Sequence, residues 1–233
     1  MDSKNNNNVN VNIKKIAIIA MLSALAYLLM FALRIPFMPA APFLKYDPKD
    51  VIIITGGFLF GPFTSVIMSV IVSFLEMVTV SESGPIGMIM NIVSSCSFAF
   101  TAAAIYKKRR TIRGAVAGLV IGLAVMIATM LLWNYLLTPL YMKVGENNVP
   151  REFIVKMLVP VFLPFNLLKG GLNLGLTLLI YKPLTTALRK TGMLPKTTTK
   201  TGENGKANIG VILAALFAIA TYILLMLVFS GVI

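Results

Sequence analysis

Long, nearly uncharged apolar runs constrain this chain more than any other feature. They are Ile16 to Leu33, Phe63 to Val80, Ile86 to Tyr106, Gly114 to Tyr141, Phe153 to Leu188 and Ile209 to Ile233. Each approaches or exceeds the roughly 20 residues that a helix needs to cross a bilayer's hydrocarbon core. In that medium every backbone polar group must be satisfied internally, which favours helices. With 58% hydrophobic and 12% charged residues and a mean hydropathy of +0.86, the chain reads as an all-α polytopic membrane helical bundle. A shorter run, Val51 to Phe60, is separated from the next by Gly61-Pro62. It is too short to cross alone, so it draws on residues 47–50 or is shielded by protein.

The runs divide the chain. Residues 1–12, with four consecutive asparagines from Asn5 to Asn8, are expected to be a disordered N-terminus. No cleavable signal peptide is expected, because the first apolar run is too long and lacks a cleavage site. Residues 13–190 form the main membrane domain, and residues 191–207 a Thr-, Lys- and Gly-rich cytoplasmic linker. Residues 208–233 form an additional transmembrane helix.

Charge placement gives the orientation. With the N-terminus in the cytoplasm and loops alternating, fourteen Lys/Arg fall inside, including the basic cluster at 107–113, against Asp2 and Glu203. Six fall outside (Arg34, Lys45, Lys49, Lys143, Arg151 and Lys156), balanced by Asp47, Asp50, Glu76, Glu82, Glu146 and Glu152. This is the positive-inside pattern of a multi-pass cell-membrane protein with a cytoplasmic N-terminus. The formal charge of +13 is therefore mostly topology, and nucleic acid is not an expected partner. With no histidine in the chain, His-based zinc sites and His-dependent nucleophile pairs are excluded; no metal and no cofactor are expected.

One residue breaks the pattern. Lys169 stands inside the sixth run, thirteen residues from both Lys156 and Lys182, or about 20 Å along a helix each way. Asn166, Lys169, Gly170 and Asn173 share a helical face. A charge at that depth is costly and normally turns toward a partner, a cavity or a ligand. The group can therefore act as a structural lock or as a ligand-facing site whose ammonium and amides read oxygen and nitrogen atoms of a small molecule. Gly170 and Gly171 allow close approach of a helix or a ligand. Asn134 and Thr138, one turn apart near the outer end of the fifth run, and Asn91 in the fourth are further candidate contacts. Glu76 is a solvated helix end, a partner of Lys169 or a ligand contact. Ala17, Ala20 and Ala24 give the first helix a small-residue face for packing within the chain or against a partner. Ser94 to Ser97 read as polar helix packing, with Cys96 a buried thiol.

Several segments together resemble a family. Pro42-Phe43-Leu44-Lys45-Tyr46-Asp47-Pro48-Lys49-Asp50, Gly57-Phe58-Leu59-Phe60-Gly61-Pro62, Gly84-Pro85, Ala104 to Lys107, Asn134 to Tyr141 and Pro164 to Gly170 occur in order over about residues 14–190. The set is similar to the riboflavin-specific S components of energy-coupling factor (ECF) transporters. That resemblance implies a six-helix S-component core, to which the C-terminal helix is an addition. It implies riboflavin bound near the outer face by Asn134, Asn166 and Lys169 beneath a first loop around Leu44. It further implies a membrane coupling subunit, with Ala20 and Ala24 among the docking residues, and two cytoplasmic ATPases. The chain departs from the family at Val72-Ser73 and in the Met-rich segment after Gly84-Pro85.

The expected function is thus substrate capture for a vitamin transporter, with no catalysis and with riboflavin as cargo. An S component for another vitamin or heterocycle is one alternative; a membrane assembly subunit without a ligand is another. An intramembrane transferase or hydrolase would need paired carboxylates or a histidine, and only Glu76 approaches that requirement.

Overall fold

A computed structural model describes residues 2–39, 41–144, 147–192, 209–229 and 231. Among the described residues eight helices make up the bundle: α1 (Asp2–Ala32), α2 (Lys49–Phe60), α3 (Pro62–Thr79), α4 (Gly84–Arg109), α5 (Ile112–Tyr141), α6 (Arg151–Met157), α7 (Leu163–Lys190) and α8 (Ile209–Phe229). A π-helical turn, Leu158–Phe162, joins α6 to α7. Pro160 within it and Pro164 just after it lack amide hydrogens, and the ladder widens so that the Leu163 amide donates to the Leu158 carbonyl. Among the described residues six helical stretches are long and apolar enough to cross a membrane, α6 to α7 counting as one.

One expectation changes and another lies largely outside the described residues. The first helix begins at Asp2, so the disorder expected of residues 1–12 gives way to helical backbone continuous with the Ile13–Ala32 span. Extending an existing helix avoids the cost of nucleating one. The linker expected at 191–207 falls, from residue 193 onward, outside the described residues. The short second helix is shielded by protein: Lys49 through Phe58 are all buried. Gly61 ends it and starts α3 with φ of +102°, a value that a side chain would strain, which makes Gly61-Pro62 an enforced corner.

The bundle is apolar on its outside as well as in its core, as lipid requires. Along α3 the buried positions are small or polar (Ser65, Ser69, Ser73, Glu76), with Met68 and Val72 between them. Phe63, Ile67, Val70, Ile71 and Phe74 are exposed to where the acyl chains lie. The main core joins Leu22 and Ala26 of α1, Ile53 and Ile54 of α2, Phe98 and Ala99 of α4, and Leu119 and Met126 of α5.

Close backbone contact sets the α4–α5 pair. A Cβ at Gly118 would lie 2.6 Å from the Ala102 carbonyl oxygen, and one at Gly122 2.7 Å from that of Phe98. Gly118-x-x-x-Gly122 is therefore a small-xxx-small seam facing the alanines of α4. Gly122→Ala is expected to destabilise the bundle by about 1–3 kcal/mol, because backbone rather than a movable side chain must yield. The midpoint of thermal unfolding in detergent measures it, and an unchanged midpoint would contradict this packing.

Candidate functional site

Between α1 and α2 the chain folds into a hairpin laid across one end of the bundle. Strands β1 (Ile35–Pro36) and β2 (Lys45–Tyr46) pair antiparallel, Ile35 opposite Tyr46. Phe37, Met38 and Ala41 between them are buried. The hairpin is pinned by rings: Phe37 stacks on Phe165 of α7, with centroids 5.3 Å apart, and Phe43 meets the edge of Tyr141 of α5. Apolar surface here buries against α5 and α7, and the strand that follows is drawn inward with its charges.

Those charges are the main surprise. Asp47, Lys49 and Asp50, assigned by charge counting to an outer loop, are 3%, 1% and 2% exposed. Lys169 Nζ donates to Asp47 Oδ2 at 2.9 Å. Lys49 Nζ donates to Glu76 Oε2 at 2.5 Å and lies 3.8 Å from Asp47. Arg34 stands 3.8 Å from Glu76 and donates to the Val80 carbonyl. Asp50 accepts from Ser95 Oγ at 2.5 Å and from Asn173 Nδ2 at 3.4 Å. Three basic side chains, Arg34, Lys49 and Lys169, thus gather with three acidic ones, Asp47, Asp50 and Glu76, so the group is balanced in formal charge. Charge balance and dense hydrogen bonding are what make buried charge tolerable. Burial alone would raise the Asp47 carboxyl, but Lys169 and Lys49 outweigh it and hold that group below the usual carboxylate range.

This arrangement corrects the reading of Glu76. It is neither a solvated helix end nor the partner of Lys169; it is buried, pairs with Lys49 and lines the cavity beneath the hairpin, which leaves the third reading, a ligand contact, in place. The hairpin brings Asp47 to Lys169 instead. Asn173 ties the same segment: its Nδ2 donates to the Asp47 carbonyl oxygen at 3.3 Å, and its Oδ1 accepts from the Tyr46 hydroxyl at 3.2 Å.

Under the hairpin lies a cavity of about 90 Å³. Leu44, Asn91, Asn134, Asn166 and Lys169 line it, so five of the six predicted substrate residues converge from the hairpin, α4, α5 and α7. Phe43, Phe165, Tyr141, Met90 and Met130 add apolar and aromatic wall. Thr138 does not line it: wholly buried, it donates to Asn134 Oδ1 at 3.0 Å and fixes that amide. Asn134 Nδ2 donates to the Met130 carbonyl, and Asn166 Nδ2 to that of Phe162, both at 2.7 Å. The second of these carbonyls ends the π-helical turn. Each amide is thereby oriented before any ligand arrives. Arg34, Lys45, Asp47 and Glu76 line it as well, and a cavity with aromatic faces, fixed amides and charged groups of both signs suits a flat, polar-edged small molecule.

The remaining candidates lie elsewhere. Gly170 faces Leu123 and Met126 of α5, and Gly171 faces Tyr222 of α8, so both serve helix packing. Ala17, Ala20 and Ala24 are exposed among the described residues. Sequence reasoning missed the hairpin's acids because charges in a Pro-rich loop look ordinary; the signal available was the short second helix that needed those residues.

Comparison with known proteins follows the same outline. The family described as "ECF transporter, substrate-specific component" matches residues 14–181. The riboflavin transporter RibU of Staphylococcus aureus (strain TCH60) is 32% identical over 179 residues, 76% of this chain and 93% of that protein. The riboflavin transporter FmnP of Bacillus subtilis (strain 168) is 30% identical over 164 residues, 69% of this chain and 86% of that one. A solved S component of a bacterial ECF transporter superposes with a TM-score of 0.63 at 32% identity, covering 76% of this chain and 99% of its own.

Proposed function

The chain belongs to the family of ECF transporter substrate-specific components, and we propose that it captures riboflavin at the outer face of the cell membrane for ATP-driven uptake by partner subunits. The observation that carries this reading is the convergence of Asn134, Asn166 and Lys169 with Leu44 on one cavity under the hairpin. The isoalloxazine ring offers what that lining asks for: flat faces for Phe43 and Phe165, and carbonyl and imide edges for the amides and the ammonium. The chain performs no chemistry on its cargo; binding and handing on are its work. The basic 107–113 cluster and Lys182, Arg189 and Lys190 lie at the end opposite the hairpin, which supports a cytoplasmic N-terminus and an outward-facing site.

A cavity of about 90 Å³ is below the roughly 300 Å³ at which small-molecule sites begin, so seating a flavin requires its walls, the hairpin among them, to move apart. Purification from rich medium tests the reading. The protein is expected to carry flavin absorbance bands near equal stoichiometry and, once stripped, to quench riboflavin fluorescence on titration. A colourless protein that also fails to quench would overturn it, and a different bound chromophore would favour another heterocycle.

The exposed Ala17, Ala20 and Ala24 face is assigned to the membrane coupling subunit, with two cytoplasmic ATPases beyond it. Small residues there let the partner's helices approach backbone to backbone. Ala20→Leu with Ala24→Leu is expected to titrate riboflavin as the native chain does. It should nevertheless lose uptake by about tenfold or more, because each bulky side chain costs about 1–3 kcal/mol in a tight contact. Uptake of labelled riboflavin in cells with the full transporter is the measurement, and undiminished uptake would remove this face from the interface.

A further inference from the structure

The family match ends at residue 181 and assigns no work to α8. That helix is nonetheless fitted to a defined place. Ala215, Ile219, Tyr222 and Met226, at spacings of four, three and four, form one stripe, the first buried and the others half-buried, while Leu213, Phe217 and Leu224 are exposed. The stripe meets α7 at two glycines. Tyr222 lays its ring directly on Gly171, and Ile219 Cγ1 sits 2.7 Å from where a Cβ at Gly175 would be. Gly171-x-x-x-Gly175 is thus a socket for α8, and a simple membrane anchor would need no such socket.

The socket backs the site. Gly171 lies between Lys169 and Asn173, the two α7 residues that hold the hairpin through Asp47 and Tyr46. Ile219, Tyr222 and Met226 also pack against the apolar cluster that contains the hairpin's own Phe37, Met38 and Tyr46. One helix therefore packs on α7, the anchor of the hairpin, and faces the hairpin's Ile35 and Tyr46 across an apolar cavity that Ile219 and Met226 line.

We propose that α8 braces the hairpin and that Tyr222 is its positioning residue, wedging against α7 at Gly171 so that Lys169 and Asn173 stay aimed at the hairpin and captured ligand leaves slowly. The effect on ligand release rests on the riboflavin reading; the effect on the hairpin does not. The ring edge and its hydroxyl oxygen both lie over Gly171, so Tyr222→Phe, which keeps the ring and loses one contacting atom, should fall between the native chain and Tyr222→Ala.

Backbone hydrogen exchange on the full-length protein in lipid nanodiscs, without ligand, is the primary test. Tyr222→Ala and, more mildly, Met226→Ala should speed exchange across residues 35–48 by about tenfold or more, with α4 and α5 at native rates. Riboflavin dissociation, followed by recovery of fluorescence, should accelerate in parallel while association is unchanged. Native hairpin exchange in both variants would overturn the proposal, as would a speeding that is equal in α4 and α5. Should Tyr222→Ala fail to fold, Met226→Ala decides alone. A native chain that takes up no riboflavin overturns the ligand reading only, and the exchange rates still decide the brace.

Discussion

Lys169→Met is expected to lower riboflavin affinity by more than about a hundredfold, since removing one member of a buried, hydrogen-bonded charge pair costs about 2–5 kcal/mol. The loss has two sources that the structure separates. Lys169 lines the cavity, and it also donates to Asp47 at 2.9 Å, which ties the hairpin to α7. Without it Asp47 keeps only Lys49, 3.8 Å away, as a nearby cation. On the proposed reading, the ammonium that locks the hairpin also serves as the ligand contact. The double variant Lys169→Met with Asp47→Asn distinguishes the two roles, because it removes the orphaned anion along with the cation. Folded protein, measured by size-exclusion profile and unfolding midpoint, should recover in the double variant while affinity should not. If fluorescence titration shows affinity returning with the fold, Lys169 serves the hairpin alone and the ligand-facing role is lost.

How far the site could be read beforehand depended on which residues look out of place. Lys169 stands in an apolar run, so its charge is an anomaly, and helical spacing alone puts Asn166 and Asn173 beside it. Its partner was invisible for the opposite reason. Asp47 sits in a loop where acids are common, and 122 positions separate it from Lys169, beyond the reach of any periodicity. Thr138 shares a face with Asn134, but spacing does not tell whether a hydroxyl faces a cavity or its neighbour; it donates to that neighbour. The bundle itself was legible because bilayer thickness fixes helix length. Gly118 and Gly122 show the limit there: only the position of α4, set by the whole fold, makes that spacing a contact seam. The N-terminal helix was missed because asparagine-rich composition speaks for disorder locally, whereas the span beyond it extends helix backward.

Lys49→Met should be the most damaging single change to folding. Lys49 is 1% exposed and holds Glu76 at 2.5 Å, with Asp47 at 3.8 Å. Truncating one partner of a buried pair costs about 3–5 kcal/mol, a large part of the roughly 5–15 kcal/mol that folded proteins have in hand. The site leaves little to take its place. Among the described residues Glu76 retains only Arg34 as a cation, at 3.8 Å, and α2 is walled in by protein from Lys49 to Phe58, so relief for the stranded acid comes only through the small cavity that it lines. The expected result is a protein that accumulates poorly in the membrane, with an unfolding midpoint lowered well beyond that of Gly122→Ala. Pairing the change with Glu76→Gln should recover most of the loss, since a neutral amide of similar shape asks much less of its surroundings than a carboxylate does. A Lys49→Met protein as stable as the native chain would mean that the buried charges are solvated after all. A double variant no better than the single would instead place the cost in lost packing of the Lys49 stem against α2's neighbours, not in the stranded charge.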